Sequence, residues 1–128
     1  MSYYFSKTVN AGFEETEKKT RTLLKEMGFG ILIEADIKAT MKMRLDTVFR
    51  NYKILGACNP QSAYNALLTE DKIGLMLPCN VVIQEIDKEK TEVAAIDPVA
   101  SMAVVNNPKL GGFAEQVRIK LQKVIELL

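Results

Sequence analysis

Two hydrophobic periods take turns along this chain, and that alternation limits the folds open to it. Ile31, Ile33, Ala35 and Ile37 alternate with Leu32, Glu34, Asp36 and Lys38. This period of two sends successive side chains to opposite faces of a strand. Toward the C-terminus the period lengthens. Phe113, Ala114, Val117, Leu121, Val124, Ile125 and Leu128 draw one apolar stripe along a helix predicted from about Leu110 to Leu128.

The remaining segments continue the alternation. Tyr3–Val9 reads as a short strand, and Ala11–Met27 as a helix with Asn10 as its N-cap and Gly28 at its stop. A second helix is expected over Thr40–Phe49, presenting Met41, Leu45, Val48 and Phe49 on one face. Tyr52–Cys58 reads as a third strand, and Asn59-Pro60 starts a helix over Gln61–Leu68. Asparagine caps the free amides there, and proline gives up no needed donor at the first helical position. Gly74–Glu85 has the continuous apolar character of a buried strand. Pro78 lies inside it and cannot donate to a ladder, so a bulge is expected at Pro78-Cys79. Asp87-Lys88-Glu89-Lys90 reads as a hairpin turn into a strand over Thr91–Ile96, and Val99–Pro108 as irregular chain with room for one helical turn.

The order is therefore β-α-β-α-β-α-β-β-α. It predicts an α/β (α+β) fold: a single mixed sheet of about five strands with helices packed on it. At 128 residues, with no repeat or linker, the whole chain reads as a single domain, 1–128.

Composition narrows the function classes. The 17 basic and 16 acidic side chains leave a net charge of +1, too little to steer the domain onto a nucleic acid or an anionic membrane. The longest apolar stretch, Ile73–Ile83, is too short to span a bilayer and contains Pro78 and Asn80. The N-terminal segment lacks the features of a signal peptide, so a cytoplasmic location and free thiols are expected. Histidine is absent, which excludes a Ser-His-Asp triad, a Cys-His pair and the common His-containing zinc sites. The two cysteines cannot form a four-thiolate centre within one chain, and no metal site is expected. The residues specify no cofactor.

Chemistry then rests on few residues. Cys58 ends a strand and precedes a helix N-terminus, where partial positive charge favours a thiolate; the alternative is a small buried hydrophobe before a helix start. Cys79 stands beside Pro78, where a backbone bend of the kind found at functional sites is expected; the alternative is a bulge with a buried cysteine. Each cysteine is followed by an asparagine, Asn59 and Asn80, whose amides can bind a polar ligand. Asp36 and Asp97 are the carboxylates to follow, Asp97 having a turn-capping alternative. Lys38, Lys42, Arg44, Arg50 and Lys53 form a basic run that reads foremost as a solvated face. No phosphate-binding glycine loop is present.

Phe29-Gly30-Ile31, Ala35-Asp36-Ile37, Tyr52 to Pro60, Ile73 to Val81 and Asp97-Pro98 together resemble the domain-of-unknown-function 302 family. The resemblance implies a small α/β domain forming a homodimer, and it supplies no reaction. It marks Cys58, Asn59, Cys79 and Asn80 as the positions matching the family's most distinctive pattern. Three readings follow: a homodimeric module binding a small polar or anionic ligand near the two Cys-Asn motifs, with Cys58, Asn59, Cys79, Asn80 and Asp36 as candidates; a thiol enzyme or redox protein, with Cys58 as nucleophile and Cys79 as resolving thiol; and a purely structural domain with inert cysteines.

Overall fold

The computed structural model describes residues 2–128. Five strands form one sheet: β1 (Tyr4–Val9), β2 (Gly30–Asp36), β3 (Tyr52–Cys58), β4 (Cys79–Asp87) and β5 (Lys90–Ile96). The helices are α1 (Phe13–Glu26), α2 (Ile37–Leu45), α3 (Pro60–Thr69), α4 (Pro98–Met102) and α5 (Gly111–Leu127). Across the sheet the order is β1-β5-β4-β3-β2. The element order expected from the periodicities is present, with α4 added between β5 and α5.

The sheet is antiparallel at every pairing rather than mixed. The reason lies in the connections. A helix between two strands reverses strand direction unless it crosses the sheet to return to the starting end. Here α2 joins the antiparallel neighbours β2 and β3, and α3 joins β3 and β4. Neither makes a crossover.

One face of the sheet is covered. Leu55, Ala57, Cys79, Val81, Ile83, Val93 and Ala95 pack against Leu24 of α1 and Val117, Leu121, Val124 and Ile125 of α5. The stripe read in the last helix is thus the lid of the core. Full burial of each Leu, Ile or Val contributes on the order of 1.5–3 kcal/mol. The opposite face carries Tyr4, Tyr52, Asn80, Val82, Gln84, Glu92 and Ala94, which with Tyr3 outline a hollow of about 300 Å³.

Three local expectations are corrected. The second helix runs Ile37–Leu45, not Thr40–Phe49, because Asp36 accepts a hydrogen bond from the Ala39 amide and starts the helix early. Asp46, in the left-handed region at φ 50°, ends it. None of its residues is buried, so its apolar side chains mark no core face. The first helix is capped at Gly12, without a side-chain hydrogen bond, rather than at Asn10. Finally, β4 begins at Cys79, and Ile73–Met76 forms a 3-10 turn instead of strand. Proline cannot donate to the ladder, so the ladder starts after Pro78 and no bulge is needed there. The register shifts lie elsewhere, at Ile31/Ile33 and Glu85/Asp87.

Among the described residues, no helix is long and apolar enough to cross a membrane.

Candidate functional site

The two cysteine motifs meet at one end of the sheet. Cys58 is the last residue of β3 and Cys79 the first of β4, and Ala57 pairs directly with Cys79 across the ladder. Most other residues of the motifs have a constructional task. A Cβ at Gly56 would fall 2.5 Å from Cγ of Pro78 and 3.3 Å from Cβ of Ile33. The glycine therefore makes room for the proline ring of the opposite motif. Asn59 caps α3, its Oδ1 accepting from the Ser62 amide at 3.1 Å. Its Nδ2 donates to the Gly28 carbonyl at 3.3 Å. Gly28 holds φ at 86°, the left-handed conformation that glycine adopts most easily. Both ends of the Asn59 amide are thus occupied in holding the chain.

Cys79 also packs within the core. Cys58 and Cys79 line one cavity, closed by Phe29, by Ala57 and Leu77, by Ser62 and Ala66 of α3, by Met102 of α4, and by Phe113 and Val117 of α5. Its volume is about 20 Å³, close to the space of a single water. The lining residues carry no charged side chain; the polar contributors are the thiols, the Ser62 hydroxyl and the Asn59 amide. A second hollow of about 300 Å³ lies between α4 and the start of α5, with Met102 lining both.

Electrostatics in the cavity runs against a reactive thiolate. Burial raises the Cys58 thiol above its ordinary value of 9.0. Burial pushes the Cys79 thiol up to about 11, with the neighbouring charge of Cys58 adding to the rise. The Asn59 cap already consumes part of the helix-terminal donor capacity. Protonated thiols at neutral pH are weak nucleophiles.

The other expected residues lie apart from this cavity. Asn80 follows Cys79 on the strand and lines the hollow on the opposite sheet face. Asp36 caps α2 at the far end of the β2–β3 ladder, where it pairs with Lys53, while Gly30 pairs with Cys58. Six residues of strand separate the two ends by about 20 Å. Asp97 caps α4 through the Val99 amide and faces Arg118 at 3.4 Å. In the basic run, Lys53 pairs with Glu17 at 3.0 Å and Lys42 with Asp46, so its charges are largely partnered or solvated.

Met102 is the site residue missing from the sequence reading. Asp97-Pro98 repeats the helix-start signature of Asn59-Pro60, and reading it as such would have placed a short helix over Met102.

A family model described as the domain of unknown function DUF302 matches residues 5–128. The chain belongs to the DUF302 family. The DUF302 fold is also seen in a crystal structure of an uncharacterised conserved DUF302 protein from Bacillus stearothermophilus. That protein is 24% identical, with a TM-score of 0.89, and the match covers 98% of each chain. No curated protein matches the sequence.

Proposed function

We infer that this DUF302 domain is a homodimeric cytoplasmic binding protein that takes a small ligand at the cavity shared by Cys58 and Cys79. One observation carries the reading: two thiols line one cavity while Gly56, Pro78 and Asn59 of the same motifs are committed to packing and capping. The uncharged wall favours a ligand held by sulfur over the polar or anionic one that the asparagines would have received. Both cysteines are free, as suits a reducing compartment.

The uncovered sheet face supports the dimer. Arg50 donates to Gln84 at 3.0 Å and Gln84 donates to Glu92 at 2.9 Å, so positive and negative ends lie at opposite sides of one polar row.

Native mass spectrometry of the protein purified without reductant tests both parts. A dimer carrying an added mass is expected, and the Cys58→Ser/Cys79→Ser variant should lose that mass. A bare wild-type chain, or the same mass retained by the double variant, removes the proposed site.

A further inference from the structure

We propose that the cavity is a site for a soft univalent metal ion, Cu(I), bound by the sulfurs of Cys58 and Cys79 with the Met102 thioether as a third donor. This rests on reading the cavity as a ligand site and names the ligand class. The donor set comes first. The cavity is lined by two cysteines and one methionine from three separate elements: the end of β3, the start of β4, and α4. Thiolate and thioether sulfur select Cu(I) over ions that prefer oxygen or nitrogen. Among the described residues no three His, Cys, Asp or Glu side chains gather in a way that could hold a metal ion, so zinc, calcium and magnesium lack their usual donors there.

Size and surroundings agree. About 20 Å³ admits one ion and excludes an organic ligand of ordinary dimensions. Cys79 is 5% exposed and Met102 7% exposed, so those two sides of the site are shielded from water, while Cys58 is half-buried. Met102 also lines the larger hollow between α4 and α5. Ile73, Ala66 and Leu110, buried beside Met102, keep that wall apolar.

The binding step is balanced without a redox partner. Two S–H bonds are replaced by two S–Cu bonds, two protons pass to solvent, and copper stays univalent. The product carries one net negative charge. It lies at the N-terminus of the ten-residue helix α3, whose dipole favours an anion there.

The test is an anaerobic titration of the purified wild-type chain with Cu(I) in the presence of the colorimetric chelator bathocuproine disulfonate. The wild type is expected to withdraw one Cu(I) per chain from the chelator. Cys58→Ser and the Cys58→Ser/Cys79→Ser variant should lose this capacity. Met102→Leu, close in volume and safe for folding, should still take up the ion but surrender it at a lower chelator concentration. Circular dichroism of each variant separates a lost site from a lost fold. A wild type that leaves all the copper with the chelator overturns the proposal, as does a folded double variant that still withdraws it. Unchanged competition by Met102→Leu removes Met102 from the site. If copper fails while the purified protein carries a different added mass, of an inorganic ion, absent from the double variant, the ligand class is wrong and the cavity reading stands.

Discussion

Gly56 and Pro78 belong to different motifs, yet each is explained only by the other. The proline ring occupies the space a side chain at position 56 would need. Gly56→Ala is therefore expected to cost about 1–3 kcal/mol through overpacking, read as a lower urea midpoint. Gly74→Ala, where an added Cβ meets nothing within 4 Å, should leave the midpoint nearly unchanged. Cys79 gives a pH-dependent signature. Its thiol is raised from 9.0 to about 11 in the folded chain, so the unfolded chain releases its proton first as pH rises. The stabilisation is fully present below pH 9.0 and is lost as pH climbs toward about 11. Its full size is on the order of 2–3 kcal/mol. Lysines and tyrosines titrate in the same window, so the measurement is a difference. Cys79→Ala should show a shallower loss of stability than wild type over that range, and parallel curves would refute the burial argument.

Helices α2 and α3 both begin at a capping side chain, yet the two caps differ in what depends on them. Asn59 holds the first turn of α3 and also ties it to Gly28 at the end of α1. Asn59→Ala is expected to cost about 1–2 kcal/mol of global stability, measured by denaturant unfolding. Asp36 caps α2, a helix that buries nothing. Asp36→Ala should speed amide exchange within α2 and leave the global midpoint almost unmoved. The same contrast explains how far the sequence could be read. β5 and the last helix were legible because their apolar patterns answer to a core that they touch, and the β4–β5 turn because its four residues are all charged and exposed. The boundaries of α2 were not, because Met43, Leu45 and Val48 are exposed and their spacing answers to no partner. Gly74–Met76 looked like strand by composition, and the lack of a proline N–H at position 78 overrode it. For the site, each cysteine was legible by its motif, but that both would line one cavity depended on β3 and β4 being neighbours. That Asn80 would face the other side of the sheet, and Met102 join the thiols, depended on strand and helix placement that residue type does not encode.

At the scale of the molecule, two α-helices shield one face of the sheet and the other lies open. Ala94 sits on that open face between Val82 of β4 and Ser6 of β1. If a second copy covers this face, as proposed, the wild type sediments as a dimer and Ala94→Glu as a monomer in sedimentation velocity. Ile119→Glu, placed on the exposed side of α5, should leave the dimer intact. If both variants sediment as wild type does, the open face is not the dimer contact. The position of the thiols has a consequence for motion as well. Cys58 and Cys79 stand at the two ends of one excursion from the sheet, residues 59–78, which contains α3. Anything that joins the two sulfurs acts as a clasp across its mouth. Occupancy would then be written in the breathing of α3, whose amides should exchange more slowly in the loaded protein than in the bare one, while those of α2 keep the same pace.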